Sequence, residues 1–190
     1  KKFGVEIKAA TTIEELKAYY QLYVATRKRR GLPPMPYKFF KNLWAFNVSN
    51  GTLSLLLAFD NKNIIAGLLL IRSHNTFYAL SNASNAAHLS KRPNHLLWWK
   101  GIEFAKIHGC KYLDFGRTSV DNHGLLRFKR RWGTTEQKII HTIIDFRKPD
   151  KSNNGLRERF AKGNAIRAFC AHLPCWALKF LSNMFYKQLG

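Results

Sequence analysis

The period of apolar and polar positions changes several times along the chain, and each change predicts an element. Val5 and Ile7 alternate with Glu6 and Lys8, which predicts a strand over Phe3–Lys8. From Thr12 the period lengthens. Ile13, Leu16, Tyr20, Tyr23 and Val24 recur at helical spacing, and Thr12 with Glu15 makes a capping-box start. The basic run Arg27–Arg30 and Gly31 close this helix. Leu32–Pro36 contains three prolines, which remove donors and restrict their neighbours, so it is not helical. A second helix is predicted over Tyr37–Asn50, punctuated by Asn50-Gly51.

Strands follow at Thr52–Phe59 and Ile64–Arg72, joined as a hairpin by the polar turn Asp60–Asn63, and a third at Thr76–Asn82. Ala83–Asn94 is polar and irregular, with Pro93 placed where the first turn of a helix tolerates it. The helix His95–His108 sets Leu97, Trp98, Ile102 and Ala105 on one face and Lys100, Glu103 and Lys106 on the other, and Gly109 ends it. A short buried strand over Lys111–Phe115, a helix over Asn122–Arg131 and a strand over Gln137–Asp145 complete the pattern. The strand–helix–strand passage over residues 76–115 requires a parallel pair, whereas the hairpin-linked strands are antiparallel. The expected class is α/β (α+β), over residues 1–146. Its sheet is mixed and mostly antiparallel with one parallel pair, and has helices on both faces. Residues 147–190 form a basic linker, most polar at Asp150–Gly155, and an amphipathic helical tail over Leu156–Leu189 broken by Pro174.

A chain of 190 residues, 46% hydrophobic and 14% aromatic, can bury one sizeable core and is not a disordered segment. Charge changes the picture more. Thirty-two Lys and Arg against 11 acids give a net charge of +21. Such a surface attracts polyanions: tRNA or other nucleic acid, anionic lipid, phosphorylated substrates. A basic proteome would give the same balance with no such partner. From Arg147 onward nine basic residues face two acids. That tail either packs on the sheet or on a missing domain, or lies on an anionic membrane surface. Cys110, Cys170 and Cys175 are an odd set without a CxxC pair, which argues against a disulfide framework and a zinc site and fits a reducing cytoplasm. The seven histidines show no ligand spacing, so no metal is expected. No apolar run reaches the roughly 18 residues of a spanning helix. The chain opens on Lys1 rather than Met, so a fragment or a processed form is expected.

The densest constellation is Tyr112–Gly133. A strand ends in Asp114-Phe115-Gly116-Arg117, and a helix then carries Phe128-Lys129 and closes at Trp132-Gly133. This DFGR-(T/S), followed by G-x-x-x-FK-x-x-WG, resembles the C-terminal half of FemAB-related proteins, including those of exopolysaccharide and exosortase systems, and the broader BioF2-like acetyltransferases. T-x-x-x-R-G-x-P at Thr26–Pro33, the Phe39-Phe40 pair, the helix Pro93–Gly109 and the HLP-x-x-A-L stretch around Pro174 extend the resemblance over nearly the whole chain.

The resemblance implies a GNAT-like acyltransferase fold preceded by a similar N-terminal half. It implies transfer of an aminoacyl or other acyl group to an amine of a cell-envelope or polysaccharide precursor. The work would be cytoplasmic and peripheral at the inner membrane face. No cofactor would be permanently bound, and the donor would be aminoacyl-tRNA or acyl-CoA. The transition state carries an oxyanion that needs preorganised donors. In this fold they come from the backbone where the parallel strands splay, here Thr76–Asn82, with Ser81, and Lys111–Phe115. Lys129 matches the Phe-Lys pair thought to place the donor and offset negative charge. Its rival reading is a solvated lysine among Arg127, Arg130 and Arg131. Phe128 would shape the same pocket. Arg117 would clamp a phosphate with its planar fork or form a structural ion pair. Asp114, at the end of a buried strand, is a candidate general base, or else holds the Arg117 loop by hydrogen bonds. Phe115 and Trp132 read as core. CoA-binding relatives carry R/Q-x-x-G-x-G/A before the crossover helix, so that backbone N–H groups cradle the pyrophosphate. His88–His95 has no glycine, and Pro93 deletes a donor. That leaves Lys91 and Arg92 as phosphate contacts and favours aminoacyl-tRNA. Arg30 and Asn94 complete the substrate-binding set. An acyl-CoA-dependent N-acetyltransferase and a non-catalytic RNA- or membrane-binding module are the alternatives.

Overall fold

A computed structural model describes residues 4–47, 50–140 and 167–187. In chain order the elements are β1 (Val5–Ala9), α1 (Ile13–Arg29), α2 (Tyr37–Asn47), β2 (Leu53–Asp60), β3 (Asn63–Ser73) and β4 (Thr76–Ser84). A 3-10 turn (Ala86–Lys91), α3 (Pro93–Ile107), β5 (Tyr112–Asp114), α4 (His123–Arg130) and α5 (Cys175–Lys187) follow. They fall into two compact units, Lys1–Asp114 with Ile166–Gly190, and Phe115–Ala165. The composition-based boundary at residues 146 and 147 lies outside the described residues.

The first unit is built on a sheet of order β1-β2-β3-β4-β5, antiparallel throughout except for the parallel pair β4–β5. Residues 65–70 of β3 are buried without interruption, as expected of a strand covered on both faces. Two adjacent residues show how. A Cβ on Gly67 would stand 2.5 Å from Cδ2 of Tyr19 in α1, and one on Gly101 of α3 would stand 3.2 Å from Cδ2 of Leu68. Neighbouring strand positions point to opposite faces, so α1 and α3 cover opposite sides of the sheet.

Helix α1 starts with the expected capping box: the Glu15 amide donates to Thr12 Oγ1 at 3.2 Å, and the Thr12 amide to Glu15 Oε2 at 3.1 Å. It buries Leu16, Tyr19, Tyr20, Tyr23, Val24 and Thr26, with Phe40 and Trp44 of α2 closing the core. Ile13, expected on this face, is only half-buried, and Tyr19 takes the central place. Gly31 ends α1 in the left-handed region at φ 63°. The Arg167 carbonyl lies where a side chain would project, so glycine is required there twice over.

Three expectations change. The strand ending at Asp114 is not buried: β5 has three residues, alternates exposed and half-buried, and leaves Tyr112 65% exposed. The strand expected over Gln137–Asp145 does not form at residues 137–140, which are irregular, and residues 141–145 lie outside the described ones. Ala83–Asn94 is more regular than its polarity suggested: β4 runs on to Ser84, the 3-10 turn follows, and α3 begins at Pro93.

In the tail, residues 156–166 lie outside the described ones. Residues 167–172 are helical, the chain breaks at Pro174, and α5 follows. Helix α5 packs on α1 and the proline segment. Leu178 and Ser182 are buried, Ser182 Oγ donates to the Pro34 carbonyl, and Lys179 Nζ donates to Gln21 Oε1 at 2.7 Å. One face of the tail thus packs on a helix and the proline segment, where the sheet or a missing domain was expected.

Candidate functional site

The parallel pair is short. Thr76, Phe77 and Tyr78 align with Tyr112, Leu113 and Asp114. Phe77, fully buried against Phe104 of α3 at 5.7 Å between ring centroids, anchors the paired part. From Ala79 to Ser84, β4 pairs with β3 alone among the described residues. The β3–β4 register shifts there: Leu70 faces Ala79 and Leu69 faces Ser81, which leaves Leu80 as the extra residue of a β-bulge. The parallel pairing stops at Tyr78 because β5 ends at Asp114.

Helix α1 fixes this stretch from one side. Because Gly67 has no side chain, the Tyr19 ring can come up against β3. Its hydroxyl reaches Ser81, 2.7 Å from Oγ and donating to the carbonyl at 3.1 Å. Burial pushes the Tyr19 phenol far above its ordinary range, so it is a neutral donor at any working pH. Two turns on, the buried Thr26 hydroxyl donates to the Ser84 carbonyl at 3.3 Å and accepts from the Ser84 amide at 3.1 Å. Arg29 approaches the same carbonyl with both Nη atoms at 3.4 Å.

The first turn of α3 approaches Ser84 as well. Asn94 Nδ2 donates to Ser84 Oγ at 3.3 Å, while Asn94 Oδ1 is buried with no hydrogen-bond partner. Arg92, in the left-handed region at φ 51°, caps α3 without a side-chain hydrogen bond, and Pro93 occupies its first turn. The helix therefore opens with amide groups that no side chain of its cap residue satisfies, a setting that favours negative charge.

Lys91 is held elsewhere. Asp60 Oδ2, at the end of β2, accepts from Lys91 Nζ at 2.6 Å and sits 3.1 Å from His88 Nδ1. The Lys91 hydrogen bond holds the Asp60 carboxyl below the usual carboxylate range, although some desolvation opposes it. Arg92 and Arg30 are exposed, Arg30 at the C-terminal cap of α1.

The second unit holds the Phe-Lys pair. The Asn122 side chain caps α4 by accepting from the Leu125 amide at 3.1 Å. Lys129 Nζ donates to the Gly116 carbonyl, tying α4 to the DFGR turn. Phe115 and Phe128 both pack on Trp132, at 6.4 and 6.2 Å, and all three are half-buried. Arg130 forks onto Glu136 at 2.5 and 3.0 Å. Arg117 is exposed.

Of the predicted residues, Ser81 and Asn94 thus flank the open stretch of β4 through Tyr19 and Ser84. Lys91 is engaged by Asp60, and Lys129, Phe128 and Arg117 share the second unit. Asp114 ends β5 and is exposed, so the burial argued for it as a base is not there. Tyr19, Thr26, Ser84 and Asp60 were missed. Tyr19 follows Leu16 by three and precedes Tyr23 by four, a helical-face signal masked by its neighbour Tyr20. Thr26 opens the T-x-x-x-R-G-x-P stretch. Among the described residues no group of His, Cys, Asp and Glu could hold a metal ion.

The acetyltransferase (GNAT) domain family matches residues 1–130. The lipid II:glycine glycyltransferase of Staphylococcus haemolyticus (strain JCSC1435) is 35% identical over 86 residues, covering 42% of this chain and 20% of that protein. The match therefore spans about a fifth of that relative's length. Among solved structures, FemX superposes with a TM-score of 0.64 at 20% identity, over 70% of this chain and 51% of FemX. The aminoglycoside acetyltransferase meta-AAC0020 from an uncultured soil metagenomic sample, in complex with sisomicin, superposes with 0.60 at 13% identity, over 76% and 97%. At these identities the structural likeness concerns the fold, and it is the fold the motifs implied.

Proposed function

The chain belongs to the acetyltransferase (GNAT) domain family, and from that premise we propose that it is part of a FemAB-related acyltransferase that moves an aminoacyl or other acyl group onto an amine of a cell-envelope precursor. The open stretch of β4 is the observation that carries this reading. An amine nitrogen attacks the carbonyl carbon of an ester or thioester, and the carbonyl oxygen takes up negative charge. Collapse breaks the bond to the leaving oxygen or sulfur, which receives a proton as the amine loses one. Backbone N–H groups of Ala79–Ala83 that lack a β5 partner among the described residues are suited to the developing oxyanion, and they cost no reorganisation because the Tyr19–Ser81 bonds and the Ser84 amide's bond to Thr26 hold that backbone.

The side-chain roles follow the family resemblance. Lys129 offsets negative charge on the donor, Phe128 shapes the acyl pocket, and Arg117 grips a phosphate. Asp114 receives the amine proton from its exposed position. Asn94 and the opening turn of α3 face the anionic part of the donor, with Arg92 and Arg30 as further cations. Three features favour aminoacyl-tRNA over acyl-CoA: no glycine before α3, a proline in its first turn, and Lys91 already spent on Asp60. A net charge of +21 suits so large a polyanion. The staphylococcal relatives take lipid II and glycine in their names. A lipid-linked, amine-bearing acceptor places the work at the cytoplasmic face of the membrane, with the protein peripheral to it.

The test offers labelled aminoacyl-tRNA and labelled acyl-CoA in parallel to the full-length protein, with lipid-linked envelope precursor as acceptor. Label is expected to leave the tRNA. Transfer from acyl-CoA alone would make the protein an N-acetyltransferase, and label remaining on both donors would sink acyl transfer.

A further inference from the structure

Two helices of the first unit carry large apolar side chains on their outer faces. On α5, Trp176, Phe180 and Met184 recur every fourth residue and are 74, 63 and 55% exposed, while Leu178 and Ser182 on the other side are buried. On α2, Phe39 and Phe46 are 41 and 77% exposed, beside the exposed Lys38 and Lys41. The two faces meet. Phe39, Phe180 and Met184 line one open groove of about 1150 Å³, whose only charged lining residues are Lys38 and Lys179. A contiguous exposed apolar surface of this kind marks a docking site rather than scattered surface residues.

Charge identifies the occupant. No Asp or Glu occurs between Glu15 and Asp60, nor after Glu158, so every charged side chain on α2 and α5 is positive. A second copy of a chain with a net charge of +21 would set cations against cations. Aromatic side chains interspersed with lysines and free of acids match an anionic bilayer surface, where aromatic rings settle at headgroup depth and ammonium groups meet phosphates. No described helix is long and apolar enough to cross a membrane, so the contact is made along the surface. We propose that α2 and α5 together form a docking face for an anionic bilayer, with Phe39, Trp176, Phe180 and Met184 inserted and Lys38 and Lys41 on lipid phosphates. This states where the protein sits rather than what it transfers, and it is tested by binding, so it stands or falls apart from acyl transfer.

The experiment is co-sedimentation of the full-length protein with vesicles of phosphatidylcholine alone or with about one-third phosphatidylglycerol. Binding is expected only to the mixed vesicles. Phe39→Ser with Phe180→Ser should weaken it about ten-fold or more. Lys38→Gln and Lys41→Gln should each weaken it about five-fold. The charge-matched pair Lys62→Gln and Lys106→Gln, on the β2–β3 turn and on α3, should weaken it far less. Trp176→Ser, at the most exposed of these α5 positions, serves as a second apolar variant should Phe39→Ser disturb folding. Equal losses for the two lysine pairs would reduce the effect to undirected charge and overturn the proposal. Serine variants that bind vesicles normally would overturn it too. So would a change in sedimentation mass with vesicle binding intact, which would make the face a protein interface.

Discussion

Replacing Gly67 with alanine tests the joint between α1 and the sheet. The new Cβ would stand 2.5 and 2.8 Å from Cδ2 and Cε2 of Tyr19, and 3.1 Å from Cδ2 of Leu57. Carbon atoms meet comfortably at ~3.5–4.0 Å, so the ring must withdraw by roughly 1 Å. The Leu57 methyl can rotate aside, but the Tyr19 ring cannot. Tyr19 is fully buried, and its far end is held 2.7 Å from Ser81 Oγ. Overpacking costs about 1–3 kcal/mol, and the strained hydroxyl contact adds about 1 kcal/mol. Alanine's gain in extended backbone offsets roughly 0.5–1 kcal/mol. The net is roughly 1–3.5 kcal/mol, or about 2–14 °C in Tm for a chain of this size. Thermal and urea unfolding of the full-length protein, followed by near-UV circular dichroism, reads it directly. Repeating the substitution in a Tyr19→Leu background should shrink the penalty below about 1 kcal/mol, because the clashing ring is gone. An equal penalty in both backgrounds, or none in the wild type, would refute the assignment of Gly67 as the seat of Tyr19.

Lys129→Ala should lower the transfer rate at least ten-fold, on the order of losing one transition-state donor, while Lys129→Arg, also able to donate to the Gly116 carbonyl, should not restore the full rate. A lysine that serves only the Gly116 carbonyl would instead show in Tm and leave the rate alone. Thr12→Ala removes the cap of α1 and should cost about 1 kcal/mol, whereas Thr12→Ser should cost almost nothing; equal losses in a melting series would speak against the capping box. Asp60 has its folded-state pKa held below the ordinary value of about 3.9. Its contribution is therefore present above pH ~4 and is lost as pH falls through the lower folded value. The stability gap between wild type and Asp60→Asn should stay constant from pH 7 to 5 and close below pH 4, and a gap that widens in acid would contradict the Lys91–Asp60 pairing.

Much of this architecture was legible because periodicity and turn chemistry agreed. Thr12 with Glu15, the hairpin at Asp60–Asn63 and the single crossover between β4 and β5 each had a local signature, and each is found in the fold. The failures have physical causes too. A three-residue strand such as β5 reads as buried from its apolar letters, but a sheet edge shields only one side of it. Gln137–Ile140 has strand-like composition and no described partner to satisfy its backbone. Lys91 and Asp60 lie 31 positions apart, so their pairing exists only once β2 and the 3-10 turn are brought together. Tyr19 escaped for a subtler reason. Its importance rests on Gly67, an absence of side chain on another strand, and no local pattern on α1 encodes that.

The bulge at Leu80 has a bearing on survival as well as chemistry. A stretch of strand with no neighbouring strand is an invitation to any extended polypeptide, and in a crowded cell such edges seed aggregation. In β4 the extra residue breaks the two-residue rhythm that an incoming strand would have to match, and Ser81, Asn82 and Ser84 make the remainder polar. A small carbonyl group, the occupant proposed for this stretch, needs no such rhythm. Deleting Leu80 would restore a regular ladder and leave an edge more open to self-association.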